Sequence, residues 1–454
     1  MAAETAAPAA PVARATATAS GRRIPVSNAH VITELPGGVR VVTERVPAVR
    51  SVALGFWIGT GSRTESDSQA GLSHLLEHML FRGTERYRSE EIDQIFDAMG
   101  AELNAGTGKE MTSLYARVLD EHLERAFDVM AQMITVPAME GLAEEREVVL
   151  EEIAMYEDDP QELIFDVLGE TIFPDDALGR STLGRAQVVR ETTREELLAF
   201  HRERYFGGNI VIAAAGSVEH ERVVDWARGA LNAPESGLDA AALAPPAPAQ
   251  AAGSARFRVR DTEQYHVTVG ATGLARDDER RYALRVLDSI LGGTSSSRLF
   301  QAVREQRGLA YAVFSFQSLY RDTGQIGLYV GTRPENLAEV CEVLAGELER
   351  IREEPVSAEE LARAKDNVKG RIVLALESTG ARMDRLGSAV LAGMPILELD
   401  ETIERIEAVD AGQIGAIAAE LLAPERLCSA AIGPDEEVFR AAIAPLTPAL
   451  AETP

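Results

Sequence analysis

GLSHLLEHMLFRGTERY, from Gly71 to Tyr87, carries apolar residues at Leu72, Leu75, Leu76, Met79 and Leu80. That recurrence predicts a largely buried helix over about residues 69–81. His74 and His78 are four residues apart and so stand one turn apart on the same face. Two imidazoles so placed can reach one metal ion. Glu77 falls at the rim of that face, next to His78 and three residues from His74. A carboxylate among apolar neighbours needs a cation or a hydrogen-bond network, because an unpaired buried charge is costly.

The order His-Xaa-Xaa-Glu-His reverses the commoner His-Glu-Xaa-Xaa-His zinc motif. It supplies two metal ligands and a carboxylate that need not be one. Zinc catalysis uses neutral imidazoles and a carboxylate as ligands and keeps one position open. The ion lowers the pKa of water to about 7, and a nearby base takes the proton and delivers it to a leaving amine. A third ligand must come from elsewhere. GLAEEREVVLEEIAMYEDDP offers Glu144, Glu145, Glu147, Glu151 and Glu152 on a predicted helix. Glu145 and Glu152, seven apart, share a face, but spacing alone does not choose among the five.

The 454-residue chain is long enough for two or three domains. It holds 45 Lys and Arg against 72 Asp and Glu, a net charge of −27. Phosphates would be repelled, so nucleic acid is not an expected partner. The same field would attract basic peptides. Cys341 and Cys428 are the only cysteines, too few for a disulfide framework or a thiolate-rich zinc site. No apolar run is long enough to span a membrane, and none has the form of a signal peptide. The cytoplasm is the expected location.

The Ala- and Pro-rich stretch 233–254 reads as a linker between two halves. The halves look related. RSVALGFWIGTGSR carries Gly55 where QYHVTVGATGLARD carries Gly270, 215 residues on. The glycines of NIVIAAAGSVEHERVVDWARGAL and RLCSAAIGPDEEVFRAAI, Gly216 and Gly433, lie 217 apart. Two anchors at nearly equal offset suggest a duplicated domain. In the first half, strand-like runs at 39–46, 52–58, 112–118 and 210–215 are set among helical stretches at 69–81, 89–99, 120–135, 142–157 and 193–205. That order suggests an α+β layer.

These residues resemble the pitrilysin and mitochondrial processing peptidase family, in its short-chain bacterial branch. The likeness runs from about residue 25 onward. It rests on GLSHLLEHMLFRGTERY, AELNAGTGKEMTSLYARV, EREVVLEEIAMYEDDP and VREQRGLAYAV. The family's downstream motif is Glu-Arg, five residues, Glu, matched here by Glu145, Arg146 and Glu152. The resemblance therefore implies one zinc ion per chain on His74, His78 and Glu152, with Glu77 as base and Glu145 supporting a histidine ligand from behind. It implies a peptide-binding edge strand in AELNAGTG, with Asn104 and Ala105 at the matching positions. It implies that Arg304 and Tyr311 of the second half position substrate and stabilise the oxyanion. Spacing alone would read that Arg as surface and that Tyr as core.

The implied fold is two homologous domains, each a mostly antiparallel sheet packed with helices, facing each other across a cleft. Residues 1–24 are expected to form a disordered tail, 25–232 the catalytic zinc-binding domain, 233–254 the linker, and 255–454 a domain without a metal site. The implied activity is a zinc metalloendopeptidase acting on extended or unfolded peptides, basic ones included. A homodimer is the expected assembly, and a heterodimer with an inactive relative is the alternative. The family also contains members that kept the fold and lost the chemistry, so a non-catalytic peptide-binding or assembly subunit is the competing function. No part of the catalytic pattern is missing from this sequence.

Overall fold

The computed structural model describes residues 30–231, 243, 247–248, 251 and 253–447. The tail 1–24 and most of the 233–254 linker lie outside the described residues. The first sheet contains β1 (His30–Glu34), β2 (Arg40–Arg45), β3 (Ser51–Ile58), β4 (Glu102–Thr107), β5 (Thr112–Leu119) and β6 (Ile210–Gly216). Its order is β1-β2-β6-β3-β5-β4, with β2 and β6 parallel and every other pair antiparallel. The second sheet contains β7 (Ala255–Val259), β8 (Tyr265–Gly273), β9 (Ala310–Leu319), β10 (Gly324–Thr332) and β11 (Cys428–Gly433). Its order is β7-β11-β8-β10-β9, again with one parallel pair, β7 and β11.

The second sheet thus repeats β2-β6-β3-β5-β4 strand for strand, which is the duplication expected from the glycine anchors. The anchors themselves are not in the same register. Gly55 pairs with Ala213, three residues before Gly216. Gly270 pairs with Cys428, five residues before Gly433. The two-residue difference leaves each side chain on its proper face, because strand side chains alternate with period two.

Strands β3 and β6 are continuous apolar runs because both faces of the first sheet are covered. One face carries Val52, Leu54, Phe56, Ile212 and Ala214 into the main core, under the helices of the first half. The other carries Ala53, Trp57, Val211 and Ala213 against Met383, Leu386 and Val390. Those last three belong to the Thr379–Leu391 helix of the second half. The exchange is reciprocal. The Pro160–Ile172 helix of the first half lays Ile164, Val167, Leu168 and Ile172 on Cys428, Ala430 and Ile432 of β11. Each half therefore closes the outer face of the other's sheet. Gly387 permits the closest approach: a Cβ there would lie 2.0 Å from the Trp57 indole nitrogen.

Buried charge also ties the halves together. Arg63, with a side chain 1% exposed, donates to Glu110 at 2.6 Å and to Asp322 at 2.7 Å. Glu110 accepts in addition from Arg276 at 2.5 Å. Glu44 on β2, fully buried, is paired with Arg382 and with Arg385 of the Thr379–Leu391 helix.

Candidate metal centre

The predicted metal-bearing helix is present as Leu72–Leu80. It begins at Gly71, whose φ of 108° favours a residue without Cβ. Its first amides are capped by Glu65, which accepts from the N–H of Gly71 at 2.9 Å and of Ser73 at 2.6 Å. A carboxylate near a helix N-terminus also meets the positive end of the dipole. Burial pushes the Glu65 carboxyl upward, and the two amide bonds oppose that shift. Glu65 was not singled out in the sequence; an acid a few residues before a helix is the only signal it leaves there.

Leu75, Leu76, Met79 and Leu80 fix the helix in the main core. The opposite face presents His74 and His78, whose rings meet edge to face with centroids 4.7 Å apart. The Leu142–Asp158 helix packs beside it. Of the five glutamates left open by spacing, Glu144, Glu147 and Glu151 are exposed to solvent. Glu152 Oε2 lies 3.4 Å from His74 Nε2 and 3.3 Å from His78 Nε2. Glu145 Oε1 lies 2.8 Å from His78 Nδ1. Its other oxygen is 3.5 Å from Arg82 Nε.

His74, His78 and Glu152 are the group of described residues able to hold a metal ion, with donor atoms all within 4.8 Å of one another. Zinc bonded tetrahedrally at about 2.0–2.2 Å sets neighbouring donors about 3.3–3.6 Å apart. The 3.3 and 3.4 Å separations to Glu152 match that spacing. The other ring nitrogens differ in their support. His78 Nδ1 faces Glu145, whereas His74 Nδ1 is buried without a hydrogen-bond partner among the described residues. Burial and the adjacent His78 ring push His74 down to about 4, which keeps it neutral as a ligand must be.

Glu77 is not in the ligand group. Its Oε2 accepts from the Thr107 hydroxyl at 2.5 Å. Burial pushes the Glu77 carboxyl upward. A carboxyl raised toward neutral pH is suited to take up and release a proton. Thr107, the last residue of β4, was also not singled out by sequence reasoning.

Asn104 and Ala105 lie on β4, which pairs with β5 and is the outer strand of its sheet. The Ala105 N–H donates to Asn104 Oδ1 at 2.8 Å. Arg304 and Tyr311 come together in the second half. The Arg304 guanidinium stands 4.6 Å from the Tyr311 ring centroid and donates to the Tyr311 carbonyl at 3.1 Å. Tyr311 is 78% exposed, so the core position that its apolar neighbours suggest is not the one it takes. Among the described residues no hydrogen bond, ion pair or ring contact joins Arg304 or Tyr311 to His74, Glu77, His78 or Glu152.

Two histidines and a distant glutamate on adjacent helices of a duplicated α+β fold make a candidate metal site of the zinc-protease type. The chain belongs to the insulinase family, peptidase family M16. The model of that family matches residues 40–186, and that of the peptidase M16 inactive domain matches residues 191–368. An uncharacterized zinc protease of Streptomyces coelicolor is 43% identical over 409 residues, spanning 88% of this chain and 89% of the relative. One of Bacillus subtilis is 38% identical over 386 residues, spanning 85% of this chain and 93% of the relative. Among solved structures, a protease from Helicobacter pylori superposes with a TM-score of 0.82 at 20% identity, over 90% of this chain and 100% of that one. A peptidase M16 inactive domain from Pseudomonas fluorescens gives 0.79 at 23% identity, over 90% and 98%. The pitrilysin-type family and two-domain fold expected from the motifs are thus established. No helix among the described residues is long and apolar enough to cross a membrane.

Proposed function

We propose that this chain is a zinc-dependent endopeptidase that hydrolyses peptides or unfolded segments held in extended form. One observation carries the proposal: Glu152 Oε2 stands within 3.4 Å of both imidazole Nε2 atoms, with Glu77 beside the group and outside it.

His74, His78 and Glu152 would hold one zinc ion. When bound, zinc supplies a Lewis acid and brings the pKa of water near 7. The chain's own residues do the rest. Glu77 takes a proton from the attacking water as its oxygen adds to the peptide carbonyl carbon. It then delivers that proton to the amine nitrogen as the C–N bond breaks. Glu145 holds the His78 ring so that Nε2 faces the ion. The unpaired edge of β4 at Asn104 and Ala105 adds the substrate as a further strand. Arg304 and Tyr311 position the peptide and stabilise the oxyanion once the substrate bridges the two halves. A homodimer enclosing the substrate is the assembly this function expects, and mass measurement in solution tests it.

The deciding experiment is peptide-library digestion by wild type and Glu77→Gln, read by mass spectrometry with and without chelator, beside metal analysis. About one zinc per chain, chelator-sensitive cleavage and an inactive Glu77→Gln that keeps its zinc support the endopeptidase. A zinc-free, inactive wild type supports the binding subunit instead.

A further inference from the structure

We propose that Thr107 is a positioning residue for the general base, and that strand β4 through it couples peptide pairing to catalysis. The proposal rests on Glu77 being that base.

The Thr107 hydroxyl donates to the Glu77 carboxylate at 2.5 Å. A hydroxyl has a single proton to give. The alternative acceptor, the Ser73 carbonyl, is 3.5 Å away, so the proton goes to Glu77. Bonds to an ionised carboxylate are the stronger kind. That short bond holds the carboxylate oxygen in place over the end of β4. The helix under Glu77 is itself anchored by the Glu65 cap and the leucine core. The side chain's remaining freedom lies in its own torsions, which is what the Thr107 clamp removes.

The clamp sits on the strand that offers the peptide edge. Along a strand, backbone N–H groups point alternately to opposite sides, so those of Ala105 and Thr107 point the same way. The Ala105 N–H is held by the Asn104 carboxamide, and the Thr107 hydroxyl holds Glu77. The edge donor that a peptide would take over and the residue holding the base are therefore two residues, or about 7 Å, apart on one strand. A peptide carbonyl that replaces Asn104 Oδ1 at Ala105 braces β4 immediately ahead of the clamp. Base orientation then improves when the peptide is paired, so binding remote from the scissile bond raises kcat as well as lowering KM.

The test compares wild type, Glu77→Gln, Thr107→Val, Thr107→Ser and Thr107→Ala on two fluorogenic peptides, one long enough to run along β4 and one truncated. Zinc content and thermal melting are measured in parallel. Thr107→Val should keep its zinc and its KM within about twofold while kcat falls about 10- to 100-fold, the scale of a misplaced catalytic group. Thr107→Ser should recover most of kcat, and Thr107→Ala reports the same loss should the valine variant not fold. The kcat advantage of the long peptide should vanish in the valine and alanine variants. An inactive Glu77→Gln beside Thr107→Val or Thr107→Ala at wild-type kcat overturns the positioning role alone. An active Glu77→Gln overturns the base assignment and this proposal with it. A serine variant as poor as valine makes Thr107 merely structural and also overturns the proposal.

Discussion

Glu145 holds His78 from behind: its Oε1 lies 2.8 Å from Nδ1, on the far side of the ring from the nitrogen that faces Glu152. The same helix thus supplies one carboxylate in front of the imidazole and, two turns away, one behind it. Among the described residues His74 has no such support at its own Nδ1.

From that asymmetry, Glu145→Gln should weaken zinc binding about 10- to 100-fold, the usual cost of removing the partner behind a metal-bound histidine. The protein should stay folded, because Glu145 is a polar group at the edge of the main core. Competition against a fluorescent chelator measures the change. Unaltered affinity would mean that Glu145 serves Arg82 instead.

Glu152→Ala should abolish stoichiometric zinc binding, whereas Glu151→Ala should leave it intact. Both residues are partly or fully solvent-facing, with the Glu152 side chain 45% exposed, so neither change should disturb packing. Metal analysis after gel filtration separates the two. Equal retention of zinc would remove Glu152 from the ligand set.

Tyr311→Phe should lower kcat, with zinc content and melting temperature unchanged. Among the described residues its hydroxyl makes no hydrogen bond, and its ring is exposed, so loss of activity alone would report a role in the transition state. Loss of one oxyanion donor typically costs about 100- to 1,000-fold in kcat. A fully active variant would exclude the hydroxyl from the reaction.

Gly387→Ala should destabilise the chain by about 1–3 kcal/mol, the range for overpacking a core. The added methyl would meet the buried Trp57 ring, which is fixed between sheet and helix. Denaturant unfolding followed by Trp fluorescence checks this. No change in the midpoint would mean that the helix can shift away from β3.

Much of the site was legible because it lies on single elements. His74, Glu77 and His78 are bound by helical periodicity alone, and the apolar positions around them fix which face is buried. The glutamate helix was equally visible, but the choice among its five acids was not. Only the family motif favoured Glu152, and only the packing of two helices turns it and Glu145 to the histidines. Thr107 and Glu65 left no comparable trace, since one is a strand-end hydroxyl and the other an acid in a loop. Their roles come from what they touch.

By itself the sequence determined the helix, the order of its ligands, the strand-like runs and the doubling of the unit, all properties of local periodicity. Tertiary structure alone decided how the two units share their cores. The Pro160–Ile172 and Thr379–Leu391 helices each cover the sheet of the opposite half. Periodicity records that a face is apolar, but it carries no information about which distant segment will bury it. That depends on shape and charge across the whole chain, here on Gly387 against Trp57 and on Glu44 and Arg63 paired across the seam.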